Sequence, residues 1–248
     1  MIIGIIPARY ASTRLPGKPL ADILGKSMLQ RVYEQSSKSK FLKRVVVATD
    51  DQRIFDHVKS FGGDVVMTAE HHPSGTDRCW DAAQQIDEDF NYVLNVQGDE
   101  PFINPEQIDE LASVLQGASI ELATQMVAVN SYDLLVDKGE VKIVLNKNNE
   151  AMYFSRSIIP FIKNVDEKDW LGHHTYYRHV GMYAYRKDIL EKITKLPVSS
   201  LEKAESLEQL RWIENGFKIK CIVTNYDSHC VDTPEDLEKA IRMLKIMQ

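Results

Sequence analysis

Pro7-Ala8-Arg9-Tyr10-Ala11-Ser12-Thr13-Arg14-Leu15-Pro16-Gly17-Lys18-Pro19-Leu20 is the stretch around which the chain is organised. Directly before it stands Ile2-Ile3-Gly4-Ile5-Ile6, a short β-branched run closed by Pro7, which reads as a fully buried strand. After it, Lys26 to Ser37 sets Met28, Leu29, Val32 and Tyr33 on one side of a helix. The stretch is therefore a strand-to-helix connection, and a long one for that task. It carries three cations, Arg9, Arg14 and Lys18, and the hydroxyls of Ser12 and Thr13. Open α/β sheets bind ligands beyond the carboxyl ends of their strands. Cations and free backbone N–H groups there suit a polyphosphate, whose oxygens they neutralise and hydrogen-bond. A surface loop can also hold basic residues with no ligand, so charge alone leaves both readings open. The loop is not a Walker A motif, because Pro19 follows Gly17-Lys18 and Ser12 stands where the first glycine belongs. It is not G-x-G-x-x-G either.

Length and composition bound the remainder. A chain of 248 residues is ample for a core without disulfides, and 44% hydrophobic with 27% charged residues is ordinary for a soluble globular protein. A net charge of −6 argues against a nucleic-acid surface and permits a local basic pocket. The cysteines, Cys79, Cys221 and Cys230, are odd in number and form no C-x-x-C, so neither a disulfide framework nor a zinc cluster is indicated. A reducing cytoplasm fits that usage. No basic-then-apolar leader opens the sequence, and no apolar run is long enough to enter and cross a membrane.

Strands alternate with helices over roughly the first 115 residues, which predicts a parallel, doubly wound sheet. Expected strands are 44–51, 64–68 and 91–97; expected helices are 51–61, a segment ending near Ile86, and 105–115. The rhythm then changes. Segments 121–129, 140–146, 151–155 and 179–185 look like strands without long helices between them, as in a mixed or antiparallel insertion at about 120–186. From Lys187 the α/β rhythm resumes, with helices at 187–195 and 207–215, a strand at 218–223 and a closing helix at 234–247.

Three further segments can carry chemistry. Gln97-Gly98-Asp99-Glu100-Pro101 puts a carboxylate just past a buried strand, where it can hold a metal or simply end the strand in a turn. Val231-Asp232-Thr233-Pro234-Glu235-Asp236 is a well-formed helix start, with Thr233 as cap and Pro234 in the first turn. That local role does not require an acid at Asp232. Ser74-Gly75-Thr76-Asp77-Arg78 reads equally as a capped loop.

The first loop, A-R-x-x-S-x-R-L-P-G-K-P-L, closely resembles the signature of the sugar nucleotidyltransferases that make CMP-activated acidic sugars, the 3-deoxy-manno-octulosonate (Kdo) cytidylyltransferase family above all. V-Q-G-D-E-P, S-G-T-D-R and V-D-T-P-E-D resemble further motifs of that family, in the same order. So do Tyr153-Phe154-Ser155-Arg156-Ser157, His179-Val180-Gly181-Met182-Tyr183-Ala184-Tyr185 and the helix start at Leu207-Glu208-Gln209-Leu210-Arg211. Asp137–Val141 and Trp170–Tyr177 depart from the family pattern, on the sugar side of the chain.

The resemblance implies a single nucleotidyltransferase domain over 1–248. Its fold would be a Rossmann-like doubly wound, mostly parallel α/β sheet of the nucleotide-diphospho-sugar transferase type, with the insertion used for dimerisation. It implies a cytoplasmic homodimer acting on CTP and an acidic octulosonate sugar with Mg²⁺ as cofactor, for lipopolysaccharide biosynthesis. Arg9, Arg14, Lys18 and Asp99 would be catalytic, and Asp99 with Asp232 would hold the metal. Pro7, Ala8, Arg9, Ser12, Lys18, Ser74, Gly75, Thr76, Arg78 and Gln97 would bind the nucleotide. Arg14, Gln97, Arg156, His179, Tyr183, Glu208 and Gln209 would bind the sugar, with Arg156 suited to its carboxylate through a planar bidentate fork. Enzymes for sialate or 8-amino-Kdo would share the nucleotide motifs. A P-loop kinase is disfavoured by Pro19, and a non-enzymatic nucleotide-binding module leaves the paired aspartates without a task.

Overall fold

The computed structural model describes residues 1–12, 14–116, 119–227 and 230–247. Thr13 of the first loop therefore lies outside the described residues. The chain forms two compact units, one of residues 1–116 and 228–248, the other of residues 117–227.

The first unit is built on a parallel sheet. Ile2–Ala8 pairs with Leu42–Thr49 on one side and Tyr92–Asn95 on the other, and Val65–Met67 extends it beyond Leu42–Thr49. Ile3, Ile5 and Ile6 are fully buried, as an apolar run without polar alternation requires of a strand covered on both faces. The chain adds its second and third strands to one side of the first, then crosses back to place Tyr92–Asn95 on the other. The order reverses between Ile2–Ala8 and Tyr92–Asn95, and their carboxyl ends, Ala8 and Asn95, flank the crevice where such sheets bind ligands.

The connecting helices are Met28–Ser36, Gln52–Ser60, Gly75–Gln84 and Pro105–Ser113. Each begins at a side-chain cap that accepts an otherwise orphaned N–H: Ser27, Asp51, Ser74 and Asn104. The first of them starts two residues later than its periodicity predicts, because Lys26–Ser27 forms a small antiparallel ladder with Asp22–Ile23. The closing helix, Pro234–Met247, lays Ala240 on Ile23, Met28 and Val231, with Leu237, Ile241 and Leu244 around them. Helix and strand ends elsewhere fall within about two residues of their expected positions, the usual scatter of element termini.

The second unit is mixed. Leu122–Ala128 pairs antiparallel with Tyr177–Arg186 and parallel with Ile219–Val223. Tyr177–Arg186 also pairs with Lys142–Leu145, which pairs in turn with Ala151–Ser155, both antiparallel. The unit extends to residue 227 because Ile219–Val223 belongs to this sheet. A helix at Ser200–Glu205 was not expected from the apolar periodicity. Its signature is a capping box: Ser199 accepts from Glu202 N while the Glu202 carboxylate accepts from Ser199 N. The departing segment 137–141 is tied down from below. Lys142, fully buried, donates to the carbonyls of Asp137 and Glu140 at 2.7 and 2.6 Å. Among the described residues no helix is long and apolar enough to cross a membrane.

Candidate active site

The first unit holds a cleft of about 670 Å³ at the carboxyl ends of its switch-point strands. Pro7, Ala8, Arg9, Ser12, Arg14 and Lys18 line it from the first loop; Ser74, Gly75 and Arg78 from the third helix; Gln97, Gly98 and Asp99 from beyond the fourth strand; and Asp232 from before the closing helix. Its lining has four cationic side chains against two anionic ones, although the whole chain carries −6. A volume of this order suits a small-molecule ligand, and the local excess of positive charge suits an anionic one.

Local chemistry explains how the segments meet. Gly98 lets them close: a β-carbon there would lie 3.1 Å from the Pro7 carbonyl oxygen. Gly17 takes φ +69°, and its N–H donates to the Tyr10 carbonyl at 3.3 Å, folding the loop back on itself. Arg53 stacks over the Tyr10 ring at 3.3 Å while paired with Asp51, which anchors the loop to the neighbouring helix. On the far side, buried Val231 donates its N–H to the Asp99 carbonyl at 2.9 Å, so the two acid-bearing segments are stitched by main chain. Asp236 accepts from Thr233 N, Thr233 Oγ1 and Asp232 N, and Thr233 Oγ1 accepts from Asp236 N. This reciprocal cap orients Asp232 without using its carboxylate.

The centre of the site is an ammonium between two carboxylates. Lys18 Nζ lies 2.6 Å from Asp99 Oδ2 and 2.8 Å from Asp232 Oδ1, and Arg14 reaches Asp232 Oδ2 at 3.1 Å. Burial opposes the charge on Lys18, but Asp99 and Asp232 outweigh it and raise its pKa above the ordinary lysine value. Two acids from segments more than a hundred residues apart thus converge on one cation. The same donor set suits Mg²⁺, which is held through one or two carboxylates together with substrate phosphates. Cys230 also brings its thiol within ligand range of both aspartates, a placement that the cysteine spacing did not reveal. His72 lines the cleft itself and was likewise not evident from the sequence; it lies beside the S-G-T-D-R motif and pairs with Asp81 at 2.6 Å.

The S-G-T-D-R motif divides. Ser74 Oγ caps the helix by accepting from Asp77 N at 3.2 Å, and Ser74 and Gly75 still border the cleft. The helix N-terminus there adds partial positive charge. Thr76 is buried and is not among the residues lining the cleft. Arg78 is buried too, and its guanidinium donates to Thr68 Oγ1 at 2.6 Å and to Asp50 Oδ2 at 3.1 Å. It borders the cleft as a fixed wall.

Five expected sugar-binding residues, Arg156, His179, Tyr183, Glu208 and Gln209, belong to the second unit. Arg156 spends its fork on the carbonyls of Glu205 and Lys138 at 2.8 and 3.0 Å. Glu208 pairs with Arg211 at 3.3 Å, and Gln209 is buried. His179 and Tyr183 share one side of their strand, with ring centroids 5.0 Å apart. Burial keeps the Tyr183 phenol well above its ordinary range. Thr124 Oγ1 donates to the Met182 carbonyl and so accepts from His179 Nε2, at 3.0 Å. Burial pushes the His179 imidazole down to about 3.

That shift sets a pH dependence. An unfolded histidine titrates near ~6.5, so below that pH the unfolded chain binds a proton that folded His179 refuses. Stability is complete above ~6.5 and falls as pH drops toward the folded value, by up to ~1.4 kcal/mol per pH unit from this group. Urea midpoints at pH 7.5 and 5 should differ less in His179→Gln than in the wild type. Equal differences would show that another group carries the acid sensitivity.

A sequence profile of the cytidylyltransferase family matches residues 3–219. The chain is 56% identical to the 3-deoxy-manno-octulosonate cytidylyltransferase of Parabacteroides distasonis, over 98% of this chain and 97% of that one. It is 53% identical to the same enzyme of Bacteroides thetaiotaomicron, with 98% of each chain covered. A solved structure of CMP:2-keto-3-deoxy-manno-octonic acid synthetase complexed with CTP superposes with a TM-score of 0.92 at 39% identity, covering 100% of this chain and 99% of that one. A 4-diphosphocytidyl-2C-methyl-D-erythritol synthase from Anaerococcus prevotii, at 16% identity and a TM-score of 0.62, shares the fold. With identities above half over nearly the full length, and the α/β nucleotidyltransferase fold in common, this chain belongs to the 3-deoxy-manno-octulosonate cytidylyltransferase family.

Proposed function

We propose that this chain couples CTP to 3-deoxy-D-manno-octulosonate, giving the CMP-sugar and pyrophosphate. The observation that carries the reading is the convergence of Lys18, Arg14, Asp99 and Asp232 in a basic cleft at the switch point of the sheet. A binding module has no need of two acids in a pocket otherwise built for an anion.

In the reaction the sugar's anomeric oxygen forms a bond to the α-phosphorus, the bond from that phosphorus to the bridging oxygen breaks, and the hydroxyl proton leaves to solvent. No protein nucleophile is required, so catalysis is positioning plus charge neutralisation. Asp99 and Asp232 would hold Mg²⁺, which when bound neutralises the α-phosphate and lowers the pKa of the attacking hydroxyl. Arg9, Arg14 and Lys18 neutralise the departing pyrophosphate from the loop side. The main chain at Pro7 and Ala8, with Ser12, follows the nucleotide. Ser74, Gly75 and the helix N-terminus behind them face its base, and Arg78, held by Thr68 and Asp50, keeps that wall rigid. Gln97, at the cleft edge with Arg14, meets the sugar. For Arg156, His179, Tyr183, Glu208 and Gln209, in the second unit, a sugar-binding role rests on the family resemblance, and Thr76 is a support beneath the nucleotide wall. The reading extends to a cytoplasmic homodimer whose product enters lipopolysaccharide assembly.

The test is pyrophosphate release from CTP and Mg²⁺ with Kdo, 8-amino-Kdo and N-acetylneuraminate offered in parallel. Release with Kdo far above the other two supports the reading. Release with 8-amino-Kdo or N-acetylneuraminate alone moves the chain to a sister specificity, and no release from a folded, CTP-binding protein removes the enzyme reading.

A further inference from the structure

We propose that Cys230 joins Asp99 and Asp232 to form a site for thiophilic divalent cations, so that Zn²⁺, Cd²⁺ or Co²⁺ binds in the cleft through a thiolate that Mg²⁺ does not use. The proposal rests on the assignment of Asp99 and Asp232 as the metal-holding pair and adds a third ligand of different chemistry.

The placement is specific. One ligand atom from each of the three residues lies within 4.8 Å of the others. A cation already sits among them, since the Lys18 ammonium contacts both carboxylates at 2.6 and 2.8 Å. Val231, between Cys230 and Asp232, is buried in the apolar cluster and bonded by its N–H to the Asp99 carbonyl at 2.9 Å. That anchor holds the flanking thiol and carboxylate beside Asp99. Cys230 is exposed, whereas Cys79 and Cys221 are buried and do not compete for an incoming ion.

The chemistry separates hard from soft ions. Zinc bonds of about 2.3 Å to sulfur and about 2.0–2.2 Å to oxygen set neighbouring ligand atoms roughly 3.5 Å apart, so side-chain shifts of about 1 Å close this site. Mg²⁺ keeps oxygen ligands and water, while thiolates select softer metals. Binding releases the thiol proton to solvent. Two carboxylates, one thiolate, Lys18, Arg14 and a divalent ion then sum to a single positive charge. With Mg²⁺ and a neutral thiol two positive charges remain to meet the triphosphate. The thiophilic ion should therefore occupy the cleft in a form less receptive to CTP, and act as an inhibitor that Mg²⁺ displaces poorly.

The test is Co²⁺ titration of the metal-free full-length protein, read by thiolate-to-cobalt charge-transfer absorption, with Mn²⁺ binding followed by electron paramagnetic resonance. The wild type should develop the band at one equivalent. Cys230→Ser should lose it and bind Cd²⁺ more weakly by at least the ~10–100-fold that loss of an outer-shell metal partner costs. Its Mn²⁺ affinity should stay that of the wild type, and Asp232→Asn should weaken both ions. A band that survives in Cys230→Ser, or no band from a wild type that binds Mn²⁺ normally, overturns the thiolate site alone. A wild type that binds neither ion overturns the metal-holding pair beneath it.

Discussion

Replacing Lys18 by alanine is expected to lower kcat/KM by ~10²–10³-fold, the usual cost of removing one preorganised charge from a transition state, and to leave a folded protein. Lys18 sits at the meeting point of the first loop, Asp99 and Asp232, where the proposed reaction would separate pyrophosphate from the α-phosphate. Its removal also leaves two carboxylates facing each other, with oxygens within 4.8 Å. At an effective dielectric near 20, two like charges at that separation repel by about 3 kcal/mol, and water lowers the realised cost. A loss of that size is smaller than the ~5–15 kcal/mol that holds a typical domain together. The variant should therefore melt a few degrees lower without metal and recover with Mg²⁺, which no longer competes with the ammonium. Steady-state kinetics and thermal melts with and without Mg²⁺ check both halves. A variant that fails to fold would make Lys18 a structural residue first.

Asp99→Ala should be more severe. It removes one of the two carboxylates that converge on the cation position, and metal-assisted stabilisation is worth several kcal/mol, ~10³-fold or more in rate. Folding should survive, because the tie between the segments runs through the Asp99 carbonyl and Val231 N, which the substitution leaves in place. Asp236→Asn is the informative contrast. Asp236 lies four residues from Asp232, but its carboxylate accepts from Thr233 and from Asp232 N as the partner of the Thr233 cap. Asparagine keeps one acceptor oxygen and loses the charge at the helix N-terminus, so the change should cost about 1 kcal/mol of stability or less, with little change in turnover. Equal activity losses from both variants would deny Asp99 its special place.

The first unit was legible because its signals are local. A β-branched run closed by Pro7, caps at Ser27, Asp51 and Ser74, and carboxylates just past strand ends each follow from short-range rules. Asp232 stood out because the helix start did not need it, and in the structure Thr233 is the cap, its Oγ1 accepting from Asp236 N while Asp236 bonds back to Thr233 N. Cys230 and His72 were not legible, since what makes them notable is distance in space from Asp99 and from Asp81. Ser200–Glu205 was missed because a short helix offers little periodicity, although its capping box was readable. The resemblance assigns Ser74, Gly75, Thr76 and Arg78 to the nucleotide, while helical geometry turns Thr76 inward and buries Arg78 on Thr68 and Asp50. Arg156 illustrates the limit for the sugar residues: an arginine's motif does not say whether its fork is free or already bonded to main chain.

The most direct test is a crystal structure with CTP and Mn²⁺, the metal located by its anomalous scattering. The account predicts Mn²⁺ bound by Asp99 and Asp232 and by the α-phosphate, with the Lys18 ammonium turned from the carboxylates to the phosphate chain. A metal bound elsewhere, or Lys18 still bridging Asp99 and Asp232 with CTP in place, would contradict it.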